Sequence, residues 1–325
     1  KEKNFYYADG EIPDHNFLIF LEDYLEEHPW IKIILEEEKR KKKKEAIGLL
    51  IEVLKSINKA AGRVLILSGE GIPFLREESL KFFRQFFLKF YPEVVIYGYI
   101  REPFGFISSI FQEWLKVKFL NFFCIKNCYF SYKKFFAKFY KIFGEENVIL
   151  KKFDTASFPG GCVVRDFCET WGIRLPKKRI VRVNESLPKE VVSCVYIFRK
   201  CFVLSNIQQI HVYFIASLLR ELLPNYFFTP FKISKEVIKP IVEENIEDVR
   251  WMESVLGEPL IDEEALKEPE PPWVVKTEED LLTVPDEVVD ALRNYTNYKL
   301  SNTKSMPQQV AEMLYQILKE NFSDI

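Results

Sequence analysis

The sequence predicts an α/β protein: a three-layer arrangement with a parallel sheet between helices on both faces, and a helical C-terminal part. Three observations carry this. Strand-like and helix-like segments alternate three times between residues 46 and 173, the pattern of a parallel sheet joined by right-handed crossovers. The run Val94–Ile100 is apolar and β-branched without polar alternation, as a strand buried on both faces reads. Beyond Pro176 the strand-like segments stop and helical periodicity takes over. The expected division is an α/β domain over 1–262, with its sheet core at about 62–175. A Pro-rich linker and a small helical extension follow over 263–325.

In chain order, residues 1 to 16 read as an irregular lead-in, with turn signals at Asp9-Gly10 and Pro13-Asp14. Asp14 is a plausible N-cap for a helix from Asn16 to Glu27, which His28-Pro29 ends. The charge run Glu36–Glu45 reads either as a basic strip or as a solvated helix face; its flanking glutamates favour the second. Ile47, Leu50, Ile51 and Leu54 then give a buried helical stripe. Arg63–Ser68 is the first clear strand, and Ser68, Gly69 and Glu70 stand at its carboxyl end, where open α/β sheets gather ligands. A helix over Glu78–Phe90 follows, with Leu80, Phe83, Phe86, Phe87 and Phe90 as its core face.

The strand Val94–Ile100 ends in Arg101. Pro103 suits the first position of a helix, because its missing N–H would have no partner there. Phe104, Ile107, Phe111, Trp114 and Leu115 then recur at helical spacing. A helix N-terminus at a strand end offers N–H groups and a positive dipole end to an anion. Arg101 adds a guanidinium fork that matches phosphate, and Ser109 lies a little over two turns beyond it. The alternative is that Arg101 pairs with an acidic neighbour and the serines pack. Gln112 and Lys116 either line a groove beyond Ser109 or lie on the surface.

Phe119–Phe130 reads as a loop or lid edge. Ser131 caps a helix Tyr132–Phe143, which Gly144 stops. Val148–Phe153 is a third strand, with Lys151 and Lys152 at its end, and a helix Cys162–Trp171 follows. Lys177, Lys178, Arg179 and Arg182 form a basic loop. Glu190–Leu223 is helical with a break near Ser205-Asn206, and Ser234 caps a helix to Leu256. Pro269–Pro272 is an extended, exposed linker, and Glu279–Leu300 and Gln308–Asn321 are small amphipathic helices.

Composition narrows the function classes. The formal net charge of −2 gives no general case for nucleic acid. The six cysteines form no CxxC pair and the three histidines are isolated, so no metal site is expected. Unpaired cysteines suggest a reducing compartment, hence the cytoplasm. No apolar run reaches the ~18–20 residues of a membrane span.

Several segments together resemble the bacterial sulfotransferase-like family, enzymes that use 3′-phosphoadenosine-5′-phosphosulfate. Arg101-Glu-Pro103 with Ser109 resembles the family's 3′-phosphate-binding element. Val64-Leu-Ile-Leu-Ser-Gly-Glu70 resembles its strand ending in Ser-Ser-Glu. Tyr132–Ile173, Asn184-Glu-Ser-Leu187 and Ile241–Ile261 resemble later sections in the same order, so that the likeness covers most of residues 10 to 262. The resemblance implies a fold related to the P-loop NTPases and transfer of a sulfuryl group to a hydroxyl or amine acceptor. A glycan or another cell-surface molecule is the implied acceptor class. Arg101, Ser109 and Ser68 would contact the nucleotide, no metal would be needed, and Glu70 would be the base that takes the acceptor proton. Glu70 has an equal alternative as a carboxylate complementing the dipole of the following helix.

The family's phosphate loop, of the type Lys-x-Gly-Thr-Thr, has no counterpart in the sequence. Phe5–Asn16 resembles the segment that follows that loop. The expectation is an upstream strand, loop and helix missing from this sequence rather than lost in evolution. The second reading is a degenerate sulfotransferase-like fold that serves as a binding or structural subunit. A kinase-like transferase is weaker, since no Walker motif is present.

Overall fold

The computed structural model describes residues 5–7 (backbone), 64–117, 122–176, 179–180, 186–202, 209–222 and 229–322. In chain order the elements are strands β1 (Phe5–Tyr7) and β2 (Val64–Ile66), helix α1 (Glu77–Phe87), strand β3 (Ile96–Ile100), and helices α2 (Pro103–Val117) and α3 (Tyr132–Phe143). Strand β4 (Val148–Lys152) and helices α4 (Val163–Trp171), α5 (Lys189–Cys201) and α6 (Gln209–Leu222) follow. Then come α7 (Lys235–Glu244), α8 (Ile246–Leu256), α9 (Glu263–Lys267), α10 (Glu278–Leu282), α11 (Asp286–Thr296) and α12 (Met306–Asn321). The protein is α/β and mostly helical. It divides into two compact units, one of residues 1–100, 131–181 and 251–258, the other of 101–130, 182–250 and 259–325. The expected helices at 16–27 and 46–57, the charge run 36–45, and most of the basic loop with Asn184 lie outside the described residues.

The first unit holds the strands. β1 pairs in parallel with β2, Phe5 against Val64 and Tyr7 against Ile66. The lead-in read as irregular therefore supplies a strand ahead of Val64, which an aromatic Phe-Tyr-Tyr run favours. β3 pairs in parallel with β4, from Ile96 opposite Val148 to Ile100 opposite Lys152. Among the described residues no ladder joins the two pairs, so the expected single central sheet is instead two parallel pairs. Side chains, not hydrogen bonds, unite them. Leu65 and Leu67 beside β2, Ile96 of β3 and Val148 and Leu150 of β4 meet Leu80, Phe83 and Phe87 of α1 and Phe139 and Phe143 of α3 in one core.

The local signals for α3 act as expected. The Lys134 N–H donates to Ser131 Oγ at 3.2 Å, and Gly144 ends the helix at φ 88°. Lys138 Nζ donates to the carbonyls of Pro73 and Leu75, both at 2.5 Å, and ties the short turn before α1 to α3. On the opposite face of β3, Tyr97 packs against Phe167 and Trp171 of α4, with ring centroids 5.4 and 5.7 Å apart. Helix α4 thus packs on the tyrosine face of β3, while Ile149 on the same face of β4 is exposed.

The second unit is helical and centred on α5. Every residue from Glu190 to Arg199 is buried. α2, α6, α10 and α12 pack around α5. The segment read as an extension is therefore built into this unit: Val310, Met313, Leu314, Ile317 and Leu318 of α12 are each fully buried. The Pro-rich stretch is anchored as well. Ser234 Oγ donates to the Glu270 carboxylate at 2.6 Å, and the Lys235 N–H donates to it at 2.9 Å. The expected loop before Ser131 contains a 3₁₀ helix, Phe122–Cys128, that buries Phe122, Ile125 and Cys128. The single helix expected up to Leu256 breaks at Asn245, whose side-chain amide donates to the Ile241 carbonyl at 2.8 Å.

Candidate functional site

β2 delivers Ser68 and Glu70 in the first unit, and both are exposed. Glu70 stands ahead of a 3₁₀ turn, Ile72–Phe74, whose N-cap is Gly71. α1 begins at Glu77, with Glu77 and Glu78 as its own first-turn carboxylates. The helix that Glu70 was offered to complement therefore starts seven residues later and carries its own acidic residues.

Arg101 and Ser109 belong to the second unit. Ile100 is buried and Arg101, immediately after it, is exposed. α2 starts at Pro103, as the sequence implies. Ser109 is half-buried, and its hydroxyl makes no hydrogen bond among the described residues. Ser108 differs: it is buried, its hydroxyl donates to the Phe104 carbonyl at 3.1 Å and accepts the Ile233 N–H at 3.2 Å. Of the paired serines, Ser108 is the one bonded within the fold.

The N-terminus of α2 is not open in the way a bare helix start would be. Glu102 folds over it, and its carboxylate accepts the N–H groups of Phe104, at 2.8 Å, and Gly105. That arrangement satisfies two of the helix's unpaired donors and places a negative charge at the positive dipole end. No sequence signal marks this cap, because N-caps favour Ser, Thr, Asp and Asn over Glu. Gln112 and Lys116 are also committed. The Gln112 side-chain oxygen accepts the Leu187 N–H at 3.0 Å, and Lys116 pairs with Glu113 at 2.6 Å.

Tyr97, Tyr99, Lys151 and Asp166 form a polar cluster that sequence reasoning did not assemble. β3 alternates Ile96, Gly98 and Ile100 with Tyr97 and Tyr99, so both tyrosines share one face. Tyr99 Oη donates to Asp166 at 2.6 Å, and Lys151 Nζ bonds both Asp166 oxygens at 2.8 and 2.7 Å. Burial raises the Asp166 carboxyl, but the hydrogen bonds from Lys151 and Tyr99 outweigh it and hold the group below its ordinary value. Burial first, then the bond to Asp166, pushes the Tyr99 hydroxyl far up. Lys151 is thus engaged in an ion pair with Asp166, which joins the end of β4 to α4.

Near the other end of α2, Arg199 is buried and its Nη2 donates to the Lys116 carbonyl at 2.7 Å. Burial pulls its pKa down to about 10. A cation at a helix C-terminus is favourable, which fits Arg199 to a structural role.

Among the described residues, no group of three or more His, Cys, Asp or Glu side chains converges on a possible metal position. All six cysteines are free thiols, and no described helix is long and apolar enough to cross a membrane. No protein-family model, curated protein or solved structure matches this chain.

Proposed function

We propose that the chain is a sulfotransferase that uses 3′-phosphoadenosine-5′-phosphosulfate and acts on a hydroxyl or amine acceptor, of which a glycan or other cell-surface molecule is the expected class. One observation carries the reading: a strand whose last residue, Ile100, is buried runs into exposed Arg101, and the helix that follows keeps Ser109 half-buried with no hydroxyl hydrogen bond among the described residues. Ser109 lies about 9 Å along the helix axis from Pro103. A guanidinium and a hydroxyl so placed suit the two sides of one phosphate. When bound, the nucleotide would supply the sulfuryl group. Arg101 would then bind the 3′-phosphate charge and Ser109 would orient it, and the resemblance alone assigns Ser68, at the end of β2, a nucleotide contact. Glu70 would take the acceptor's proton. Its exposure means that the desolvation favouring a base has to come from the acceptor itself. The free thiols favour a reducing compartment such as the cytoplasm.

A second reading is a nucleotide-free, non-catalytic relative of the same fold, and one observation favours it. The Glu102 carboxylate occupies the α2 amides that an anion would use.

Calorimetric titration with adenosine 3′,5′-bisphosphate, against adenosine 5′-monophosphate, separates the readings. Selective binding of the bisphosphate supports the first; equal or absent binding supports the second. Arg101→Ala should weaken the bisphosphate far more than the monophosphate, by about tenfold or more for a lost charge-assisted pair. Glu70→Gln should slow turnover and leave nucleotide affinity nearly unchanged. An unchanged rate would remove Glu70 as the base.

A further inference from the structure

We propose that the outer face of α1 and its C-terminal turn docks on an anionic lipid surface. Most apolar residues of this helix are buried, but Phe82 and the following Phe90 lie outside the core, with Phe86, packed partly against it, between them. Phe82 is 61% exposed and Phe90 48%, with Phe86 half-buried between them and Leu88 37% exposed alongside. Phe82 and Phe86 stand one turn apart on α1, and Phe90 lies in the turn that follows the helix. Phe82 stacks on Phe86 at 6.2 Å with 21° between planes, and Phe86 meets Phe90 at 5.4 Å. Exposed phenylalanine at this density is costly in water and needs a partner.

The charges around the ridge select the partner. Residues 77–90 carry Lys81, Arg84 and Lys89 against Glu77 and Glu78. The adjacent α3 carries four lysines and no carboxylate. Glu77 is shared between Lys141, at 2.7 Å, and Lys81, at 3.8 Å, so one carboxylate serves two exposed cations. Residues 77–90 and α3 together thus carry seven cations against two carboxylates, on a chain whose formal net charge is −2. Aromatic rings flanked by lysines are what an interfacial helix presents to a bilayer: rings enter the headgroup boundary and ammonium groups meet lipid phosphates. Single-stranded nucleic acid fits less well. Base stacking needs open ring faces, and the middle ring is engaged by both neighbours.

The test is co-sedimentation of the full chain with vesicles of phosphatidylcholine doped with phosphatidylserine, against pure phosphatidylcholine. Binding to the doped vesicles should fall as salt rises. Lys81→Glu with Lys89→Glu should reduce it about tenfold or more, at ~1 kcal/mol per cation near the surface. Phe82→Ser with Phe90→Ser should reduce it at least as much. Both pairs are exposed, and circular dichroism with thermal unfolding verifies that the variants stay folded. Three results overturn the proposal: no preference for the anionic vesicles, binding that survives loss of the phenylalanines, or a face that instead mediates dimerisation or oligonucleotide binding abolished by the same substitutions.

Discussion

At the residue scale, Asp166 shows how local chemistry decides between a free lysine and a structural one. Lys151 lies at a strand end, where a sequence alone permits a ligand contact, and whether it is available depends on what faces it from α4. Asp166 faces it, and Tyr99 completes the carboxylate's bonds. The carboxyl is held low in the folded state, so its contribution is present above the unfolded value of ~3.9 and is lost as pH falls through the folded value. Asp166→Asn should cost about 1–3 kcal/mol near neutral pH, since it weakens a charge-assisted pair and leaves Lys151 poorly matched. Urea unfolding across the acid range checks this: the gap between the two proteins should narrow as pH drops below ~4. A gap that stays constant would mean that the pair is not ionic in the folded protein. Tyr99→Phe should cost about 1 kcal/mol with little pH dependence near neutrality.

At the element scale, the capping of α2 makes opposite demands on stability and on binding. Glu102→Ala should destabilise the protein by about 1 kcal/mol, because the Phe104 and Gly105 amides lose their acceptor. If the start of α2 holds a phosphate, the same substitution removes a competing carboxylate and should tighten bisphosphate binding, as calorimetry would register. Weaker or unchanged binding would place the anion elsewhere. Much at this scale was legible in the sequence. Pro103 marked the start of α2, and Ser131 with Gly144 gave the bounds of α3, because these signals act through backbone donors a few residues away. What stayed hidden depends on distant partners. The pairing of Phe5–Tyr7 with Val64–Ile66 spans more than fifty residues, and nothing local fixes it. The β3 run read as buried on both faces, yet its two tyrosines need α4 in place before their hydroxyls have an acceptor. For the candidate site, spacing predicted only the strand–turn–helix frame around Arg101 and Ser109, and their assignment to a nucleotide rests on the resemblance. The Glu102 cap was not, since nothing local distinguishes a glutamate that folds back from one that points outward.

At the scale of the whole molecule, the C-terminal residues decide whether the helical unit exists at all. The Pro-rich stretch after Leu260 suggests a tether, and composition cannot show that Glu270 binds Ser234 and Lys235 or that Val274 and Val275 are buried just beyond it. α5 is the clearer guide. Its ten residues from Glu190 to Arg199 have no exposed side, which no surface helix tolerates, so a covering layer must come from later in the chain. α12 and α10 supply it. Tyr196 Oη donates to Glu278 at 2.5 Å and Lys200 pairs with Glu278 at 2.6 Å, which fastens α10 onto α5. Leu314→Ala should therefore cost about 2–5 kcal/mol, the range for a buried leucine leaving a cavity. Deleting residues 303–325 should do far more, since it uncovers α5 and removes five large apolar side chains at about 1.5–3 kcal/mol each, a sum comparable with the stability of a whole domain. The expected product binds a hydrophobic dye, is cut rapidly by protease within 182–250, and has no cooperative melting transition for that unit. If the shortened chain instead melts cooperatively and resists protease, α5 has another cover and the C-terminal helices are an accessory after all.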